Sequence, residues 1–299
     1  MPEYCGRSPD GHDDRSGGVV SWALVGIGVL GAPLLGGLLF GIDRKITARL
    51  QGRKGPPIVQ PFYDVIKLLA KDSTYTNRRQ VFYLYSHLLW MLVALVILLT
   101  RQDFLVFVFA LTFSEVSLAL AGFATKSPYS HVGSNRELLQ ILASEPVLVF
   151  MAFALYLATG SFLTGGVFLI DEPLLFSYPL LFLAVLLVLT ILMRKSPFDI
   201  SSSAHAHQEI VRGISTEFSG KYLALLEIAH WVELIIILII VFLFWVKPWW
   251  AGVLLALGAY FLELLIDNTY ARLKLGTMVR TTWAWGFGLS LVNILYFTL

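Results

Sequence analysis

Five carboxylates stand inside apolar runs long enough to cross a lipid bilayer: Glu115, Glu145, Glu227, Glu233 and Glu263. An ionised carboxylate near the bilayer centre costs about 3 kcal/mol on insertion scales, so five facing lipid would oppose insertion by about 15 kcal/mol. They are expected to face the protein interior, where pairing, water or protonation lowers that cost. Glu227, His230 and Glu233 recur at i, i+3 and i+6, which spreads them over about 120° of a helix surface and puts them on one face. Such a row of proton-exchanging groups is what a relay requires. The competing reading is that some of them, Glu263 and Glu233 above all, lie near helix ends and merely cap or snorkel.

A second set of chemically capable residues follows one apolar run. It begins Ser196-Pro197-Phe198-Asp199, continues through His205-Ala206-His207-Gln208-Glu209 and ends Glu217-Phe218-Ser219-Gly220. The His-x-His-x-Glu order invites a metal, but alternating spacing suits a strand better than a helix, and no cysteine or further ligand cluster stands nearby. A docking surface or the mouth of a proton path is the simpler expectation. No Ser-His-Asp arrangement, phosphate-binding glycine loop or dinucleotide fingerprint occurs, so nothing points to stand-alone catalysis.

The elements that must hold these groups are helices. Only 14% of the 299 residues are charged, 57% are hydrophobic, and the mean hydropathy is +0.74. That is too little charge to wrap a water-soluble core of this size. A helix needs about 20 apolar residues to span a bilayer. Eight runs qualify, at about 18–41, 81–100, 104–123, 138–159, 178–194, 222–246, 249–267 and 282–299. The expected fold is an all-α integral membrane protein: a polar tail at 1–17, then one transmembrane domain over 18–299. The tail lacks the pattern of a signal peptide. Small residues at 26–37 are placed for close helix packing.

The basic residues give this layout a direction. The first loop holds Arg44, Lys45, Arg49, Arg53, Lys54, Lys67, Lys71, Arg78 and Arg79; the third holds Lys126 and Arg136. The fifth holds Arg194, Lys195, Arg212 and Lys221, and the seventh Arg272, Lys274 and Arg280. Eighteen of the 22 lysines and arginines thus fall on one side. Basic loops stay cytoplasmic, so both termini are expected on the extracytoplasmic side of the cell membrane. In the first loop, Phe62, Val65, Ile66 and Leu69 form a stripe after Pro61, with Asp64, Lys67 and Lys71 opposite. That periodicity predicts a short amphipathic helix at the membrane interface. The net charge of +2 argues against a nucleic-acid partner. A lone cysteine, Cys5, leaves the chain without an obvious redox centre. Any metals would belong to partner subunits.

With these residues in place, the chain resembles the subunit 1 family of respiratory NADH:quinone oxidoreductase and its relatives in membrane-bound [NiFe]-hydrogenases. The resemblance runs from about Ile42 to the C-terminus. It is carried by Arg53-Lys54-Gly55-Pro56, Gln60-Pro61 and Asp64 with Lys67-Leu68-Leu69. Further marks are Ala121-Gly122-Phe123-Ala124 leading to Arg136-Glu137, then Pro197-Phe198-Asp199 and Glu217-Phe218-Ser219-Gly220. It implies eight transmembrane helices joining a peripheral redox arm to an ion-pumping arm. Residues 55–67 and 199–220 would line the contact with the hydrophilic subunits, with Arg136, Glu137, His205, His207 and Glu209 on the same interface. Glu217 would begin a chain of acids continuing through Glu145, Glu115 and Glu227.

Quinone-reducing members carry two further glutamates shortly after Pro-Phe-Asp; here residues 201–207 take their place. That loop and Asp267-Asn268-Thr269-Tyr270 look closer to the energy-converting hydrogenase branch. The resemblance therefore implies a membrane anchor and coupling subunit of a ferredoxin-linked [NiFe]-hydrogenase-type complex that moves protons or sodium. Its partners would be large and small hydrophilic subunits holding the [NiFe] centre and iron–sulfur clusters, and antiporter-like membrane subunits. A quinone-binding subunit of complex I, or of a sulfur-reducing complex, is the alternative within the superfamily. A stand-alone secondary transporter is the alternative outside it, although the paired repeats such transporters tend to show are not evident.

Overall fold

The computed structural model describes residues 21–75, 77–195, 198, 212–271 and 273–298. Pro197, Asp199, His205, His207 and Glu209 lie outside the described residues. Eleven α-helices are present among them: α1 Trp22–Leu50, α2 Gln60–Leu69, α3 Arg78–Leu99, α4 Phe104–Phe123, α5 Pro128–Thr159, α6 Leu174–Ser177, α7 Pro179–Leu192, α8 Gly220–Phe242, α9 Trp249–Thr269, α10 Leu275–Thr281 and α11 Gly288–Thr298. Short 3-10 turns fill Thr164–Phe168 and Gly213–Glu217, and a π-helical stretch, Thr282–Phe287, joins α10 to α11. No strand occurs among the described residues, only two isolated bridges.

Six helices (α1, α3, α4, α5, α8 and α9) are long and apolar enough to cross a membrane. The other two expected spans correspond to α7, with only 14 residues, and to the run of α10, the π stretch and α11. Each boundary has a local cause. Asp103 caps α4 by accepting from the amides of Leu105 and Val106 at 2.8 and 3.2 Å, and Arg101 takes a left-handed φ of 57° to make the tight turn from α3. Ser21 and Asn77 cap α1 and α3. Gly160, at φ 75°, ends α5.

Two boundaries and the packing of one helix differ from the sequence expectation. α1 runs on to Leu50, because Asp43, Arg44 and Lys45 extend the helix beyond its apolar part. α5 begins at Pro128, ten residues before the apolar run, because its polar residues Ser130, Ser134, Glu137, Gln140 and Ser144 all turn inward. α2 forms where an amphipathic helix is expected, but it packs against α8 through Val65 and through Phe62, whose ring lies 5.1 Å from that of Trp231. Of the expected apolar stripe, Phe62 and Val65 face α8, whereas Ile66 and Leu69 are 62% and 52% exposed; Leu68 also packs inward.

The loops meet in two groups. At one end Ser219 Oγ donates to the Thr74 carbonyl at 2.8 Å, Asn77 donates to the Ala124 carbonyl at 3.1 Å, Gln51 donates to Asn268 at 3.2 Å, and Phe198 bridges to Leu273. This is the basic end. At the other, the Phe104 amide donates to the Phe162 carbonyl at 2.8 Å and the Leu175 amide to the Phe244 carbonyl at 3.1 Å. The large apolar core fills the half of the bundle next to that second end, with Phe104, Phe107, Leu155, Leu181 and Phe244 almost fully buried. α1 joins the bundle through Gly36, where a Cβ would collide with the Trp231 carbonyl; Gly26 and Gly31 approach nothing.

Candidate functional site

The buried ionisable groups collect between the basic end and the middle of the bundle, around one dipeptide. Arg194 and Lys195 follow α7 directly. Arg194 adopts a left-handed φ of 52°, a conformation a non-glycine residue holds only when its surroundings fix it. Its Nη2 donates to Glu137 Oε1 on α5 at 2.8 Å, and its Nε lies 3.7 Å from Glu233 Oε2 on α8. Lys195 turns the other way. Its ammonium donates to Asp43 Oδ2 on α1 at 2.7 Å and stands 5.1 Å from the Tyr260 ring centroid on α9. Two adjacent cations thus divide three carboxylates between them.

On the Arg194 side, Glu115 of α4 is buried within electrostatic reach of Glu233, Glu137, Arg194 and Glu145. Glu145 accepts a hydrogen bond from Thr112 at 3.0 Å. His87 of α3 is fully buried, its Nδ1 2.9 Å from both the carbonyl and the hydroxyl of Ser114. On the Lys195 side, Glu263 is fully buried; neither of its carboxylate oxygens has a hydrogen-bond partner among the described residues. Lys195 and Asp267 act on it electrostatically. Glu233 and Glu263 therefore belong to the interior and do not snorkel.

Two cavities connect these groups to the basic end. An inner cavity is lined by Glu227, His230 and Glu233 from the expected face of α8, with Arg194, Lys195 and Asp43 opposite. An outer cavity lies between α1, α2 and α8, and Phe40, Arg212 and Glu227 border both. Glu227 stands at their junction, within electrostatic reach of Arg212 and Arg44.

Other expected residues fall elsewhere. Glu217 ends the Gly213–Glu217 turn, half-buried, and lines neither cavity. Glu137, expected on an interface loop, is 3% exposed and bound to Arg194, because α5 starts early enough to carry it inside. Phe198 is buried among Ala143, Ile191 and Met278. Arg136 is half-buried on α5. Arg53 is exposed and bonded to Gln51, Gly55 and Pro56 rest near the end of α1, and Lys67 is exposed on α2. Gln60 donates to Asp64 at 2.9 Å while Arg44 pairs with Asp64 at 2.8 Å.

Sequence reasoning missed Arg194, Lys195, Asp43 and His87 as site residues. The available signal was an Arg-Lys pair directly after an apolar run in a chain whose neighbouring helices carry acids. Among the described residues, no group of three or more His, Cys, Asp or Glu side chains is placed to hold a metal ion.

Formate hydrogenlyase subunit 4 of Escherichia coli K12 is 28% identical over 85% of this chain and 91% of its own length. NADH-ubiquinone oxidoreductase chain 1 of Paracentrotus lividus is 28% identical over 81% of this chain and 83% of its own. Among solved structures, a chain of an archaeal respiratory membrane complex, the membrane-bound sulfane sulfur reductase, shares the fold. Its TM-score is 0.83 at 22% identity, covering 92% of this chain and 99% of that one. Residues 23–298 match the NADH dehydrogenase family. The chain belongs to that family, as a multi-pass membrane protein related to the membrane subunits of hydrogenase-like and complex I-like oxidoreductases.

Proposed function

We propose that this chain is the membrane anchor and coupling subunit of an energy-converting, ferredoxin-linked [NiFe]-hydrogenase-type complex. The observation that carries the reading is the Arg194-Lys195 dipeptide, which follows α7 and its cap Met193, begins the fifth loop and holds Glu137 and Glu233 on one side and Asp43 on the other. A displacement of that loop by the peripheral arm shifts both cations relative to their carboxylates. At 4 Å and an effective dielectric constant of 20, one such pair interacts by about 4 kcal/mol. Small movements therefore change the proton or cation occupancy of the neighbouring acids. The path runs from Glu227 through His230 and Glu233 to Glu137 and Glu115, and on to Glu145. The [NiFe] centre and iron–sulfur clusters would reside in hydrophilic partner subunits, and antiporter-like subunits would receive the far end of the path. The basic end would face the cytoplasm of a cell membrane, with both termini outside.

Glu115→Gln and Glu227→Gln test this in the intact complex. Each is expected to leave assembly and electron transfer in place and to abolish proton or sodium transport. Transport at the wild-type rate in both variants would overturn the relay. A quinone-reducing complex is the second reading, favoured by the apolar part of the inner cavity wall at Phe40, Leu226, Leu234 and Ile237. Reduction of a quinone analogue by the purified complex, with no hydrogenase activity, would select it.

A further inference from the structure

Of the fully buried acids among the described residues, Glu263 is the one that the path from Glu227 to Glu145 leaves out. Neither of its oxygens accepts a hydrogen bond there. An ionised carboxylate in an apolar surround needs a partner, so Glu263 must hold a proton or meet a cation. α1 and α9 fix what stands opposite it. Tyr260 Oη donates to the Leu39 carbonyl at 3.0 Å, and Asn268 Nδ2 donates to Thr47 Oγ1 at 3.3 Å. These two bonds lie eight residues apart on each helix, about 12 Å of rise. Asp43 stands midway between Leu39 and Thr47 on α1, and Glu263 at the same level between Tyr260 and Asn268 on α9.

Lys195 enters beside both. Its ammonium donates to Asp43 Oδ2 at 2.7 Å, stands 5.1 Å from the Tyr260 ring centroid and acts on Glu263 electrostatically. An ammonium has three donors, and Asp43 is the one acceptor that Lys195 uses among the described residues. Asp43 has a donor of its own in Thr47 Oγ1, at 3.2 Å. The other charged group that reaches Glu263 is Asp267, of like sign, one turn along α9.

We propose that Lys195 exchanges between two facing carboxylates, Asp43 and Glu263, and that Glu263 carries a proton while Lys195 rests on Asp43. When the ammonium crosses to Glu263, that proton leaves, and Asp43, without its cation, takes one up. The three groups keep the same net charge, so neither state strands a buried ion. Asp43 and Lys195 line the inner cavity and Glu263 does not. Each crossing therefore passes one proton between a closed site on α9 and the cavity. Its use in transport rests on the coupling reading; the exchange itself does not.

Infrared spectra of the intact complex at rest, in light and heavy water, test the exchange, because a protonated carboxyl has a C=O stretch that a carboxylate lacks. Glu263→Gln is expected to remove one carboxyl from that band. Asp43→Asn leaves Lys195 only Glu263 to pair with, and is expected to remove the same intensity. Asp43→Asn/Lys195→Gln should restore it, since no cation then reaches Glu263. A band untouched by Glu263→Gln, kept in Asp43→Asn, or not restored in the double variant would overturn the proposal. During turnover, Glu263→Gln is expected to keep electron transfer and lose ion transport; undiminished transport would overturn the branch. The spectra need no turnover, so wild-type transport in Glu115→Gln and Glu227→Gln would remove the relay and leave the exchange standing.

Discussion

Arg194 combines a left-handed backbone with two carboxylate partners, and the two features can be separated by substitution. Its side chain is 11% exposed and that of Glu137 4%, so removing the cation strands a buried anion, at a cost of about 3–5 kcal/mol. Arg194→Gln is expected to lower the thermal stability of the solubilised subunit by that order. Arg194→Lys should restore only part of it, because a single ammonium cannot reproduce the fork that reaches Glu137 and Glu233 at once. Arg194→Gly accepts the φ of 52° without strain; a defect in that variant equal to that of Arg194→Gln would assign the whole effect to charge. Thermal melts of the three variants at one pH distinguish these outcomes. Of the acids that Arg194 serves, Glu233 was legible in the sequence, since a carboxylate in an apolar run has few places to go, whereas Glu137 precedes its apolar run and read as loop. Arg194 and Lys195 were not, because a basic pair after an apolar run reads equally well as a solvated loop. Nothing in the spacing tells a residue that returns into the bundle from one that leaves it.

α7 is the shortest of the spanning candidates, at 14 residues and about 21 Å, and it begins without help from its own N-cap: Tyr178 makes no side-chain cap. The amides of Leu180 and Leu181 instead donate to Asn293 Oδ1 on α11, at 2.8 and 3.0 Å. Asn293 is 3% exposed, and those amides have no water to turn to in an apolar surround. Asn293→Leu is expected to destabilise the bundle by about 1–2 kcal/mol, whereas Asn293→Asp keeps the acceptor and should lose less. Detergent-unfolding midpoints measure both; an unchanged midpoint for the leucine variant would show that α7 needs no such cap. Hydropathy located this helix and the amphipathic α2, but not how either is held. In a membrane protein the lipid-facing side is as apolar as the packed side, so the period of α2 could not say that Leu68 turns inward while Ile66 turns out. The ten extra residues of α5 were hidden for the opposite reason. Their inward face is polar, and a polar helix face reads as loop unless its partners are known.

Polarity is divided along the whole molecule. In α4 the buried residues from Phe104 to Leu111 are apolar, and Ser114, Glu115 and Ser117 follow. In α5 the polar stretch comes first, to Ser144, and Val147 to Leu155 are apolar. In α8 Glu227 and Glu233 precede the apolar run from Leu234 to Val241. The helices run in alternating directions, so the sequence order reverses from one to the next while the spatial order stays the same. Glu115, Glu227 and Glu263 lie toward the basic loops, Glu233 and Glu145 sit near the middle of their helices, and the far end is filled by apolar side chains. Glu115 is 8 residues from the end of α4, about 12 Å of helix rise, and Glu263 is 6 from the end of α9, about 9 Å. In the proposed coupling, ions that enter from the basic end meet this apolar end and would leave sideways, toward neighbouring membrane subunits. This arrangement fixes where labels must react. With Cys5 changed to Ser, Lys54→Cys and Lys274→Cys sit at the basic end and Glu172→Cys at the sealed end. If basic loops remain cytoplasmic, a membrane-impermeant maleimide should label the first two only in inverted vesicles and the third only in right-side-out vesicles. Labelling of Lys54→Cys and Glu172→Cys from the same side would break the alternation of the loops, and with it the placement of the basic and apolar ends on opposite sides of the membrane.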